Sequence, residues 1–136
     1  MEWGFTPEDV RTGKTYYSVA QFRDDLLKEI SEVIRQHRGE DEFTRFYSII
    51  TVMLCTSLAL GKSTDAFVAS VKKFFPNKEL QQRLTKRELL NQIRDDNKEN
   101  IDMLKAVIRK RIQDDTAIGI DPGCVTKTIT SELMTF

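Results

Sequence analysis

Apolar residues recur along most of this chain at helical spacing, and one stretch departs from that pattern by being apolar on every side. FYSIITVMLCTSLALG, Phe46 to Gly61, contains no charged residue, and Arg45 and Lys62 bound it. A helix rises about 1.5 Å per residue, so the stretch covers roughly 24 Å. A bilayer core needs about 30 Å, or some 20 apolar residues. Ser48, Thr51, Thr56 and Ser57 interrupt the run as well. These features predict a buried central helix over about 40–60 rather than a membrane span, with other helices covering it on most sides.

The flanking segments supply those helices. Thr6-Pro7-Glu8-Asp9 places a hydroxyl cap, a proline and two acids where a helix starts, and Gly13 stops it. Ser18-Val19-Ala20-Gln21 has the capping-box pattern. It opens a helix with Phe22, Leu26, Ile30 and Val33 on one inward stripe, flanked by Val19, Leu27 and Ile34, and ended by Gly39. Ser63 or Thr64 caps a third helix with Phe67, Val71 and Phe74 inward, stopped by Pro76. Asn77 restarts the chain with Leu80 and Leu84. The stripe then slips a residue at Thr85-Lys86-Arg87-Glu88, a second capping-box pattern, before Leu89, Leu90 and Ile93. Beyond it, RDDNKEN offers Asp96 and Glu99 as caps ahead of Ile101, Leu104, Ile108 and Ile112. Residues 86–113 therefore suit either one long helix containing Asn97 or two helices with a corner.

The tail carries two patterns. VTKTIT alternates and is β-branched, as a strand would be. Asp121-Pro122 is a good helix start, and Val125, Ile129, Leu133 and Phe136 keep helical spacing. A strand would lack a partner in an otherwise helical chain, so a helix is favoured. The expected fold is all-α: a compact single-domain bundle of about five to six helices around the central apolar helix, with a short N-terminal arm, 1–17, and a tail segment, 116–136.

Composition bounds the function. A chain of 136 residues fits one domain and needs neither disulfide nor metal to bury a core. Acids and bases balance at 21 each, which removes any global attraction to nucleic acid or anionic membrane. MEWGFTPEDV lacks the basic and apolar regions of a signal peptide. The two cysteines are far apart, and Cys55 lies inside the apolar run. That suits reduced thiols in a cytoplasmic protein, while still permitting one disulfide.

Several fragments imitate chemical motifs. Gly13-Lys14-Thr15 and Gly61-Lys62-Ser63 resemble the end of a phosphate loop, but Glu8 and Thr56 stand where its first glycine belongs. A helix C-cap followed by a new cap explains both. Asp95, Asn97 and Glu99 mimic calcium-loop ligands, yet Asn100 and Ala106 occupy the positions of the required glycine and final carboxylate. His37, the only histidine, sits beside Arg35 and Arg38 near a helix C-terminus, where positive charge suits the dipole. No catalytic set, cofactor or metal site is expected.

Charge clusters give the remaining candidates. Asp25, Glu29 and Glu32 fall at i, i+4 and i+7, with Asp24 adjacent, and Glu40, Asp41 and Glu42 open the next helix. An ordinary solvated face is the simpler explanation, since Arg23, Lys28 and Arg35 share the helix. These acids are nonetheless the best candidate binding surface, and a basic protein is the partner they suit. Lys105, Arg109, Lys110 and Arg111 form the best nucleic-acid signal, interrupted by Asp102, Asp114 and Asp115. Trp3 and Phe5 either pin the N-terminus to the core or meet a partner, and pinning is favoured.

The leading expectation is a non-catalytic protein-binding module, most concretely an inhibitor or immunity protein that neutralises a basic toxin or nuclease. A nucleic-acid-associated helical subunit using 105–111 is the second reading, and a small metal-independent enzyme centred on His37 the third. No membrane association is expected; homo-oligomerisation is left open.

Overall fold

The computed structural model of the chain describes residues 6–14, 18–74 and 77–133. Expectations for Trp3, Phe5, Pro76, Phe136 and the Phe74 side chain fall outside the described part. Eight helices follow one another among the described residues: α1 (Pro7–Arg11), α2 (Val19–Arg38), α3 (Glu42–Ala59), α4 (Thr64–Phe74), α5 (Lys78–Leu84), α6 (Arg87–Asp96), α7 (Lys98–Ala117) and α8 (Pro122–Leu133). The architecture is all-α and compact, built around α3 as the pattern predicts. The count exceeds the expected five to six because α1 forms a helix of its own and the 77–117 region divides into three.

A helix without a polar face must be covered on opposite sides, and α3 is. Every residue from Ile50 to Ser57 is buried. Val52 and Cys55 join one apolar cluster, with Val10 of α1, Val19, Phe22 and Leu26 of α2, Leu104 and Val107 of α7, and Ile129 and Leu133 of α8. Ile50, Met53 and Leu54 join the other, with Phe67 and Val71 of α4, Leu80 and Leu84 of α5, and Leu90 and Ile93 of α6. Three hydroxyls inside α3 are satisfied by the helix itself, whereas the buried Thr44 hydroxyl finds no partner among the described residues. Ser48 donates to the Thr44 carbonyl at 2.9 Å, Thr51 to that of Tyr47 at 2.8 Å, and Thr56 to that of Val52 at 2.8 Å. These three polar side chains therefore enter the core at little cost. No helix among the described residues is long and apolar enough to cross a membrane.

Local chemistry explains most helix ends. Thr6 and Asp9 exchange the two bonds of a capping box at 3.2 and 3.0 Å, with Pro7 inside the first turn. Asp41 caps α3, accepting from the Thr44 amide at 2.7 Å, and Asn77 caps α5 through the Leu80 amide at 3.1 Å. Gly39 leaves α2 with φ of 78°, a left-handed value that favours glycine.

Three expectations need correction or completion. The Thr85 capping box does not form: Lys86 precedes α6 with no side-chain cap, and the Thr85 hydroxyl donates back to the Gln81 carbonyl. Residues 86–113 are two helices, with the corner at Asn97 rather than at an Asp96 or Glu99 cap. Asn97 uses its whole amide there, donating to the Ile93 carbonyl at 2.8 Å and accepting from the Asn100 side chain at 2.8 Å. The tail is helical, not extended. Its threonines produce the strand-like alternation from an outward face, and the hydroxyls of Thr126, Thr128 and Thr130 bond back to carbonyls one turn earlier at 2.8–3.0 Å. Polar contacts hold α8 to its neighbours. Arg111 reaches Glu132 at 3.1 Å, and Arg23 donates to the Glu132 backbone carbonyl.

Candidate functional site

The stripe of α2 begins as core and ends as surface. Val19, Phe22 and Leu26 are completely buried. Ile30 and Ile34 are half-buried, and Val33, expected to face inward, is 51% exposed. The second half of the helix thus stands beside α3 and the α6–α7 corner without being closed over.

A groove of about 280 Å³ lies between them. On the α2 side Ile30, Val33 and Ile34 supply its aliphatic wall, and Glu29 stands at its edge. Tyr47 and Thr51 of α3 and Ile93 of α6 contribute further lining. Asp96, Asn97 and Asn100 close the far side. Burial, reinforced by the Asp96 carboxylate, pushes the Tyr47 phenol above its ordinary value of 10.0, while Arg38 opposes the rise. The hydroxyl therefore stays protonated at neutral pH. The Asp96 carboxylate accepts from the Gln92 amide at 2.8 Å through one oxygen. Neither Glu29 nor Asp96 forms an ion pair among the described residues. The site combines aliphatic surface, a neutral phenol and two uncompensated carboxylates, which together suit an apolar group carrying a cation.

The acidic candidates do not form one surface. At about 100° per residue, Asp25, Glu29 and Glu32 lie along one side of α2, next to the aliphatic stripe, whereas Asp24 points away. Asp24 pairs with Arg23 at 2.7 Å, and Asp25 is half-buried. Glu29 and Glu32 are exposed. The 40–42 corner lies roughly 20 Å along the chain axis from Asp25. Its Glu40 and Glu42 are exposed, while Asp41 is committed to the α3 cap. The Thr44 hydrogen bonds hold the Asp41 carboxyl below its ordinary 3.8, with smaller help from Arg38 and Arg83. Those two guanidiniums also sit over the Phe43 ring, at 4.4 and 4.2 Å from its centre. The corner is thus of mixed sign, and the acidic surface narrows to Glu29 and Glu32 beside the groove.

The basic candidates divide in the same way. Lys110 pairs with Asp114 at 2.9 Å, and Arg111 with Asp115 at 2.7 Å and with Glu132. Arg111 consequently works as a fastener between α7 and α8. Lys105 is half-buried and lines a second cavity of about 320 Å³ with Leu58, Arg94, Lys98 and Asp102; Arg109 is exposed. His37 is exposed and makes no hydrogen bond or ion pair with the described residues. Among these residues no three His, Cys, Asp or Glu side chains come together to hold a metal ion. The Asp95–Glu99 segment is occupied by helix ends and the Asn97 corner, not by a ligand loop.

Tyr47, Thr51, Ile93, Asp96, Asn97 and Asn100 were not sequence candidates for binding. Their pattern carried only a weak sign: the α2 stripe continues to Val33 and Ile34 amid Glu32, Arg35 and Gln36, a polar setting for a core position. No family model, curated protein or solved structure matches the chain.

Proposed function

We propose that this chain is a non-catalytic protein-binding module, and within that class an inhibitor that neutralises a basic toxin or nuclease. The supporting observation is the second half of α2, where 51%-exposed Val33 and half-buried Ile30 and Ile34 run beside Glu29 and Glu32, which form no ion pair among the described residues. Aliphatic surface rimmed by charge is the composition of an interaction patch. In a chain of zero net charge, steering of a basic partner must come from such local segregation of sign. These acids add little to folding, because exposed charges contribute little to stability.

The test is kinetic. A basic protein retained by the immobilised chain is purified, and its association rate is measured across a salt series. Reversing Glu29 and Glu32 to lysine is expected to slow association, flatten the salt dependence and leave the melting temperature nearly unchanged. A double reversal that associates at the wild-type rate at every salt concentration contradicts the reading. The gathering of Arg94, Lys98 and Lys105 around the second cavity favours nucleic acid as the runner-up. Retention on heparin that disappears with Lys105→Glu and Arg109→Glu would support that alternative.

A further inference from the structure

We infer that the α2–α3–α6/α7 groove seats a helix of the basic partner, taking an aliphatic side chain against Val33 and Ile34 and a lysine or arginine between Glu29 and Asp96. This inference rests on the protein-binding reading and specifies the contact.

Charge complementarity selects the cation. Glu29 belongs to one wall and Asp96 to the other, and no described residue neutralises either by an ion pair. Aliphatic walls between them lower the local dielectric, so a cation seated there gains more than one on open surface. The Tyr47 hydroxyl makes no hydrogen bond with the described residues and is available to the incoming group. Arg38 is the counter-charge to consider. It lies over the Phe43 ring, 4.4 Å from its centre, and its charge is felt at Tyr47, but it is not part of the groove lining and forms no ion pair with Asp96 among the described residues.

The shape of the groove selects a helix. Its walls are helices, and the amides at its far side, Asn97 and Asn100, already bond to each other and to the Ile93 carbonyl. Little main-chain hydrogen bonding is therefore on offer to an extended strand, which would need it. A helix satisfies its own backbone and enters with side chains alone, spaced i and i+3 or i+4. One aliphatic anchor and one basic anchor at that spacing match the order of Val33 and Glu29, themselves four residues apart on α2.

The probe is a synthetic stapled helix carrying leucine and, four residues away, arginine; its control replaces that arginine with glutamate. Binding to the full chain is followed by amide NMR shifts. The inference predicts shifts centred on Val33, Tyr47 and Asn97, and affinity at least about tenfold weaker for the glutamate control. It also predicts loss of binding in Val33→Asp, whose melting temperature is recorded alongside to establish that it is folded. A gentler variant, Asp96→Asn, should narrow the difference between the two peptides by several-fold. Equal binding of both peptides, shifts located elsewhere, or no binding overturns the inference. If the partner still associates through Glu29 and Glu32 while the groove stays empty, only the inference fails; if the double reversal also has no effect on association, the parent reading fails with it.

Discussion

Phe22 and Leu26, in the first half of α2, are completely buried, whereas Val33, two turns further along the same stripe, is 51% exposed. The spacing of apolar residues is continuous across the helix; what changes is the cover. The first half lies under α7 and α8, which α1 and the Arg23 and Arg111 contacts to Glu132 help to hold in place. The second half extends past that layer: Ile30 still packs on the edge of the first apolar cluster, and beyond it the helix borders the groove and ends at the Arg38–Phe43–Arg83 stack. An apolar stripe thus records that a face needs covering, and says nothing of whether the same chain supplies the cover. The first half contributes to the core, and the second leaves aliphatic surface exposed.

Perturbations should separate the halves, and the largest effects belong to the layer that α3 shares with the first half. Cys55 is fully buried, and burial pushes its thiol up to about 12. Cys55→Asp should cost several kcal/mol in urea unfolding, because an unpaired carboxylate has no partner there. Phe22→Ala should cost about 3–5 kcal/mol as a cavity opens, while Val33→Ala should stay within about 0.5 kcal/mol. Equal costs at the two positions would erase the distinction. Arg111→Ala removes a partly exposed fastener of α8 over the first half and should cost about 1 kcal/mol; a neutral result would place the strength of that contact in the apolar cluster instead.

Smaller effects sharpen the comparison at the corner where the second half ends. The Asp41 carboxyl titrates below its ordinary 3.8, so its contribution to stability is complete above that value and fades as pH falls through the lower, folded-state value. Asp41→Asn keeps a capping oxygen without the titration. Its stability relative to wild type should therefore improve progressively as the pH falls below 3.8, read from urea midpoints. A constant difference would mean that the carboxylate charge plays no part in the cap. Thiol labelling gives a last check: exposed Cys124 should react readily at neutral pH, and buried Cys55 only on unfolding.

Much of the fold is legible in the residues themselves. An uncharged run too short for a bilayer points to α3 as a shared core helix, and the Thr6, Ser18 and Asn77 caps and Gly39 mark ends that local hydrogen bonding and backbone geometry impose. The Asn97 corner is harder to read, because an asparagine that bonds back to Ile93 resembles a polar residue inside a long helix until the packing on either side is known. The 125–130 segment misleads for a related reason, since threonines on the outside of a helix alternate much as they do in a strand. The groove was the least legible feature. Its parts come from α2, α3, α6 and α7, and only tertiary packing brings Glu29 near Asp96. The acidic clusters were visible in sequence, but not the capping role that removes Asp41 from them or the Arg23 pairing that occupies Asp24.

The division of α2 is tested most directly by placing the same charge on each half of its stripe and measuring urea unfolding of both variants by circular dichroism. Leu26→Asp puts a carboxylate into the fully buried first half and should abolish or nearly abolish folding. Val33→Asp puts one at the groove and should retain the wild-type helical signal, slope and midpoint to within about 0.5 kcal/mol. A loss of several kcal/mol in Val33→Asp would mean that the second half is core as well, and that its apolar edge is not free to receive a partner.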